Sequence, residues 1–320
     1  MRGKREICVS PIRVGLVGVG KIARDQHIPS IAADGGFVLA ACASRHASVE
    51  GVPSFPSAEA MLASGIGIDA ISVCTPPQAH YETVKLALAV GKHVLLEKPP
   101  CATVAEIDHL ALLAERAKRT LYQTWHSRHA PGVAPAKAWL AERRVTGAAI
   151  TWKEDMRQWH PGQTWIWEAG GFGVFDPGIN ALSILTEIIT GPAFVERAEL
   201  QVPENCASPI AADLTLALEG GAKVAAAFDF RHTGVQTWDI DIQTDDGVLK
   251  LSAGGASLAI NGAPVRTSGS DDLHGEYKAI YARFAELIAQ NGMEVDARPF
   301  QLVADAFLIG SRHTVPAFTE

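Results

Sequence analysis

Near the start of the 320-residue chain, Gly18-Val19-Gly20-Lys21-Ile22-Ala23 has the G-x-G-x-x-G/A spacing that lets a backbone cradle a pyrophosphate. Gly18 permits a tight turn, Gly20 leaves the main chain bare for close approach, and Ala23 keeps the next helix near its sheet. Lys21 and Ile22 open that helix, whose unpaired N–H groups and positive dipole end attract a phosphate. The chemistry is dinucleotide binding if a strand precedes and a helix follows; otherwise the segment is a plain βα turn. The end of the second strand then selects the dinucleotide. An NAD site usually places an acid about 20 residues beyond the loop, bonded to the ribose 2′-hydroxyl. Here Cys42-Ala43-Ser44-Arg45-His46 carries none before Glu50. The Ser44 hydroxyl and Arg45 guanidinium suit a 2′-phosphate, so NADP is the favoured cofactor. NAD stays open, as does a merely solvated Arg45.

The elements that must hold this loop are legible as an alternation. Ile12–Val17 is a β-rich run ending in glycines, and 21–33 has helical composition. Residues 37–42, 70–74 and 94–96 are short apolar runs without polar alternation, as parallel strands covered on both faces require. Between the last two, 81–90 is helical and Gly91 stands just past its end. Thr103 and Glu106 have capping-box spacing, and Ile107, Leu110, Leu113, Ala114 and Ala117 follow at helical intervals. Lys98 falls just beyond the strand 94–96, at the sheet end where open α/β folds bind ligands. An ammonium there can stabilise a developing alkoxide.

After residue 125 the period changes. Residues 212–218 and 224–230 are strands flanking Gly220-Gly221, and 238–243 alternates apolar and polar. Asp246-Gly247 and Asn261-Gly262 mark further tight turns. A helix at 276–290 carries the stripe Tyr277, Ile280, Tyr281, Phe284, Leu287 and Ile288. Another at 299–309 carries Phe300, Val303, Ala304, Phe307 and Leu308. The expected class is α/β: an N-terminal doubly wound parallel (Rossmann) sheet over 1–125, then a C-terminal α+β domain over 126–320 on a largely antiparallel open sheet. The C-terminal helices are able to pack back on the first domain.

Hydrophobic residues at 48%, charged residues at 20% and a net charge of −7 describe an ordinary globular enzyme without the basic face that nucleic acid demands. No apolar run is long enough to span a bilayer. The charged start, Met1-Arg2-Gly3-Lys4-Arg5, imitates a signal peptide, but Arg13 interrupts the apolar stretch after it. Cys8, Cys42, Cys74, Cys101 and Cys206 are odd in number and lack a C-x-x-C pair, which fits a reducing, cytoplasmic setting. His126 and His129 form H-x-x-H with no third ligand motif, so no metal is expected.

Cys74-Thr75-Pro76-Pro77, His80 and Gly91-Lys92-His93-Val94-Leu95-Leu96-Glu97-Lys98-Pro99 resemble the glucose–fructose oxidoreductase/inositol dehydrogenase/MocA family. Trp125–Pro131 and Gly170-Gly171 with Asp176-Pro177-Gly178-Ile179-Asn180 extend the resemblance over nearly the whole chain. Much of that family has a histidine where this chain has Asn180; the subgroup of aldose 1-dehydrogenases acting on L-arabinose and D-galactose shares the asparagine. The segment from Lys153-Glu154-Asp155 through Trp159-His160-Pro161 to Trp167-Glu168 also resembles that subgroup.

The resemblance implies oxidation of the anomeric hydroxyl of an aldopyranose (L-arabinose, D-galactose or D-fucose) to the lactone, with NAD(P)+. It implies cofactor contacts from Thr75, Pro76, His80, Glu97 and Lys98, a homo-oligomer, and a substrate pocket of Lys98, His126, Glu154, Trp159, His160, Asp176, Asn180 and Trp238. The imidazole being absent at 180, Asp176 is the candidate base, Lys98 the positioned cation and Asn180 an orienting amide. Asp176 before Pro177 also has the form of a helix N-cap, a role compatible with chemistry. Four of the seven tryptophans (Trp152, Trp159, Trp165, Trp167) cluster among acids and His160, suiting a pyranose with its apolar face and ring of hydroxyls, or equally a hydrophobic loop. Other expectations are a polyol or keto-sugar oxidoreductase of the same family, and a non-catalytic dinucleotide sensor.

Overall fold

The computed structural model describes residues 10–267 and 273–319; Cys8 and the charged start Met1–Arg5 lie outside them. The chain forms two compact units. One holds the described part of Met1–Glu97 with His109–Thr124 and Tyr277–Val295; the other holds Lys98–Asp108, the described part of Trp125–Glu276, and Asp296 onwards. The two units are thus interleaved along the sequence.

The first unit is a six-stranded sheet of β1 (Ile12–Val17), β2 (Phe37–Ala43), β3 (Ser54–Phe55), β4 (Ala70–Val73), β5 (His93–Leu96) and β6 (Leu121–Gln123). Their order is β3-β2-β1-β4-β5-β6 and every neighbouring pair is parallel. The order reverses between β1 and β4, so the loops leaving those two strands open the crevice where doubly wound sheets take ligands. Most of β1 and all of β4 are buried, which explains the unbroken apolar runs. The far C-terminal helix Leu273–Gln290 supplies Tyr277, Ile280, Tyr281, Phe284 and Leu287 to this core. Phe37 meets Tyr281 edge-on at 5.1 Å and stacks on Phe284 at 6.1 Å. Aromatic burial of that size ties this helix to the first unit despite its place in the sequence.

The helix after the glycine loop is not uniformly α. Ala23–His27 forms a π turn, in which the Ile28 N–H reaches the Ala23 carbonyl, before the α-helix Ile28–Ala33. Pro29 explains it: proline has no N–H for Asp25 and its ring crowds the carbonyl four residues back, so a wider turn relieves both problems.

The second unit carries a nine-stranded sheet of β7 (Val145–Lys153), β8 (Ala193–Pro203), β9 (Ala211–Leu218), β10 (Lys223–Asp229), β11 (Thr237–Thr244), β12 (Gly247–Ser252), β13 (Ser257–Ile260), β14 (Ala263–Val265) and β15 (Ser311–Val315). Its order is β14-β13-β12-β11-β7-β10-β9-β8-β15, antiparallel except at β7/β10 and β8/β15. The helix Phe175–Ile188 is buried almost throughout. Gly178 allows that: a Cβ there would lie 2.8 Å from the Phe228 ring on β10. In the helix Arg298–Ile309 the buried face is Phe300, Leu302, Val303 and Ala306, whereas Leu308, expected inside, is 82% exposed. The helix ends one residue later, and its last turn has nothing over that side chain to cover it.

Among the described residues no helix is long and apolar enough to cross a membrane. No group of three or more His, Cys, Asp or Glu side chains there is placed to hold a metal ion.

Candidate active site

In the first unit, Gly18 turns at φ +90°, and a Cβ on it would stand 2.8 Å from the Cys74 carbonyl carbon and the Thr75 nitrogen. Only glycine lets the β1 and β4 loops pass this closely. Gly20 has open space where its Cβ would be, leaving the backbone approachable. Ala23 is fully buried, and Ile22 packs with it, Val19, Leu16 and Cys42. Lys21 is exposed and paired with Asp25, one helical turn on. On the β4 side, the ring of fully buried His80 donates to the Thr75 carbonyl and pins the loop from beneath. Pro76 begins the short turn Pro77–Ala79, and Thr75 leaves its hydroxyl buried without a hydrogen-bond partner. Burial, reinforced by the charge of Glu97, pushes the Cys74 thiol well above its ordinary pKa, making it inert. Ser44 donates its N–H to Phe55, and Arg45 beyond it is exposed. The glycine geometry, the bare helix start and the orphaned hydroxyl of Thr75 fit a dinucleotide.

Beneath this loop lies a polar network that sequence reasoning missed. Glu97, 3% exposed, accepts from the Tyr277 hydroxyl at 2.8 Å and from His27 Nε2–H at 3.0 Å. His27 Nδ1 then takes the Tyr281 hydroxyl at 2.9 Å, and Tyr281 meets Ser72 at 3.0 Å. The tautomer with its hydrogen on Nε2 fits each of these bonds. The partners are far apart in sequence, so no local spacing could have found them.

The second unit gathers five of the expected substrate residues into one chain. Lys98 Nζ donates to the Asp176 carboxylate (Oδ1, 3.1 Å) and to its carbonyl oxygen (3.0 Å). The other carboxylate oxygen, Oδ2, faces His160 Nδ1 at 3.5 Å. His160 Nε2 bonds Glu154 Oε1 at 3.0 Å, and the second oxygen of Glu154 accepts from Trp238 Nε1–H at 2.8 Å. Local structure delivers each group. Glu154 leaves the end of β7 with its N–H on the Asp229 carbonyl of β10. Asp155 caps the short helix Met156–Trp159 through the Arg157 N–H, and His160 closes it. Trp238 lies opposite Trp152 in the β7/β11 register, stacked at 6.0 Å, while Trp159 tilts against it at 5.2 Å.

Asp176 is not the helix cap. Val174 stands at the cap position without a side-chain bond, and Asp176 lies inside the first turn, because the chain already turns helically at Phe175. Its carboxylate is thereby left to Lys98 and His160. Asn180, one turn further, keeps Oδ1 buried without a partner. His126 bonds Glu276 at 2.6 Å. Trp167 packs on Phe230 and Phe318 and Trp152 is buried, whereas Trp238 bonds Glu154 and Trp159 tilts against Trp238.

A doubly wound sheet with a glycine phosphate loop, and a lysine–carboxylate pair after its E-K-P strand, define a dinucleotide-dependent oxidoreductase. The chain belongs to the GFO/IDH/MocA family: residues 12–124 match the family model described as an oxidoreductase family with an NAD-binding Rossmann fold. It is 47% identical to a galactose 1-dehydrogenase of Pseudomonas fluorescens over 310 residues, 97% of this chain and 99% of that one. The crystal structure of a D-galactose-1-dehydrogenase protein from Rhizobium etli is 50% identical and superposes with a TM-score of 0.90, covering 97% and 99% of the two chains. A 3-ketoreductase of Actinomadura kijaniata, solved with NADP, shares the fold (TM-score 0.81, covering 96% and 100%) at 19% identity.

Proposed function

We propose that the protein is an NAD(P)-dependent aldose 1-dehydrogenase that oxidises the anomeric hydroxyl of D-galactose, L-arabinose or D-fucose to the lactone. The observation that carries this reading is the buried chain Lys98–Asp176–His160–Glu154 beside two tryptophan rings. The 47% identity to a galactose 1-dehydrogenase supports it.

Oxidation removes the C1 hydrogen with its electron pair and the O1 proton, and C1=O forms beside the ring oxygen. The bound dinucleotide supplies the hydride acceptor. Asp176, ionised and held by Lys98, takes the O1 proton, an assignment helped by the acidity of a hemiacetal hydroxyl. Lys98 stabilises negative charge developing on O1. The unpartnered Asn180 amide oxygen accepts from a neighbouring sugar hydroxyl, and Trp159 and Trp238 face the apolar side of the ring. Glu154 and His160 are available to further hydroxyls. Gly18, Gly20, Lys21 and Ile22 would hold the pyrophosphate side of the dinucleotide, with Thr75 and Pro76 alongside. His80 acts through Thr75, and Glu97 through the end of β5 that leads into Lys98. Ser44 and Arg45 would hold a 2′-phosphate, which makes NADP the preferred form.

Absorbance of reduced nicotinamide, followed with NADP+ or NAD+ against D-galactose, L-arabinose, D-fucose, D-glucose, D-xylose and myo-inositol, tests this. Turnover on the first three is expected; turnover only on glucose or inositol moves the protein to another branch of the family. Silence on all of them with NADP still bound would favour a sensor. Arg45→Ala should weaken NADP by tenfold or more, on the order of one lost charge-assisted contact, and NAD hardly at all. Equal losses would remove Arg45 from the 2′-phosphate.

A further inference from the structure

We propose that His160 is the proton exit of this site, passing to solvent the proton that Asp176 takes from the sugar. The inference rests on the reading of Asp176 as base, and it starts from a problem of burial. Asp176 exposes only 5% of its side chain, and one oxygen is occupied by Lys98. A proton taken from O1 therefore settles on Oδ2, and the group facing that oxygen is His160 Nδ1, 3.5 Å away.

The ring is prepared to receive it. Glu154 accepts from Nε2–H, which leaves Nδ1 as the ring nitrogen on the Asp176 side, 3.5 Å from Oδ2. Glu154 is itself held through its second oxygen by the Trp238 indole, so it cannot turn away from the imidazole. The ring is more open than either carboxylate, with 16% of its side chain exposed against 3% for Glu154, and it is followed by exposed Pro161 and Gly162. The charged and titratable groups around it are Asp176 and, behind it, Lys98 on one side, and Glu154 on the other; Phe230 covers a face at 5.4 Å.

In the transfer, the Asp176 O–H bond breaks and a bond from Nδ1 to that hydrogen forms, giving an imidazolium between two carboxylates. The Nδ1–H bond then breaks to water. Both carboxylates end ionised, the imidazole ends neutral, and no electrons move. The missing histidine at 180 is thus replaced in part by one from a different loop, acting through the aspartate.

Three variants test this in the full chain with the sugar that the wild type turns over. His160→Gln keeps an amide for Glu154 but cannot carry a proton. Its kcat should fall roughly 100-fold, the scale of a lost proton-transfer group, with a flattened pH profile. Sugar binding to the dinucleotide-free protein, read by tryptophan fluorescence, should weaken far less than kcat falls. In His160→Ala, added imidazole should restore turnover in proportion to its concentration, and Glu154→Gln should lower kcat more than it weakens binding. Wild-type kcat and pH profile in His160→Gln, or no response of His160→Ala to imidazole, would overturn the relay. A wild type inactive on every sugar would instead overturn the dehydrogenase reading beneath it.

Discussion

Two buried glutamates in this molecule have nearly the same surroundings and opposite prospects. Glu97 in the first unit accepts from a histidine and a tyrosine hydroxyl; Glu154 in the second accepts from a histidine and a tryptophan N–H. The difference lies in what stands behind the histidine. His27 is fully buried, and its far nitrogen is closed by Tyr281. His160 is partly open, and its far nitrogen faces Asp176 and, through it, Lys98. With its far nitrogen closed by a tyrosine, the first pair serves to lock elements together. A pair with one open end and a second carboxylate can do chemistry.

The largest effect that separates the two falls at the open end. Lys98→Met and Asp176→Ala should each reduce turnover by about 10²–10⁴-fold, and in Asp176→Ala NADP binding, measured by fluorescence, should stay nearly intact. Wild-type turnover in either variant would end the catalytic assignment. Next comes a matched pair of smaller edits. Tyr277→Phe removes a donor from sealed Glu97, a bond to a buried charged group worth about 1.5–3 kcal/mol, and should lower stability by that much in chemical denaturation. Trp238→Phe removes the corresponding donor from Glu154 and should slow turnover roughly tenfold, at a smaller cost in stability because Trp238 is only partly buried. If Tyr277→Phe slows the enzyme more than Trp238→Phe does, the contrast between sealed and open networks collapses.

What is legible in the residues tracks the range of the physics. The strand Ile12–Val17 and the Gly18–Ala23 loop are readable because periodicity and glycine conformation are local. The Thr103–Glu106 capping box forms as its spacing implies, with Glu106 accepting from the Ala102 and Thr103 N–H groups. Resemblance places Lys98 with Asp176, and His160 with Glu154, in one pocket but not in their order, since bond partners across loops are tertiary facts. Local rules mislead where a neighbour overrides them. Asp176-Pro177 looks like a cap until Phe175 is seen to be helical already, and Pro29 forces the π turn that carries His27 inside a stretch of plainly helical composition. The network joining His27, Glu97 and Tyr277 has no sequence mark at all, because its members come from three distant segments.

A third carboxylate shows what the same problem looks like when guanidinium replaces imidazole. Asp296 is held by Arg298 through both oxygens (2.8 and 2.6 Å) and by Arg128 at 2.6 Å. Burial alone would raise its pKa, but the two guanidiniums outweigh that and hold it at about 2 against an ordinary 3.8. A depressed pKa in the folded state means that this cluster stabilises the protein above the ordinary value. That contribution drains away as the pH falls from about 4 through about 2. Asp296→Asn should therefore cost no more than about 2 kcal/mol near neutral pH. The gap from wild type should close as denaturation is repeated from about pH 5 down to about pH 2. A deficit in Asp296→Asn that persists at the acid end would show that the carboxylate acts there as a hydrogen-bond acceptor and not as a charge.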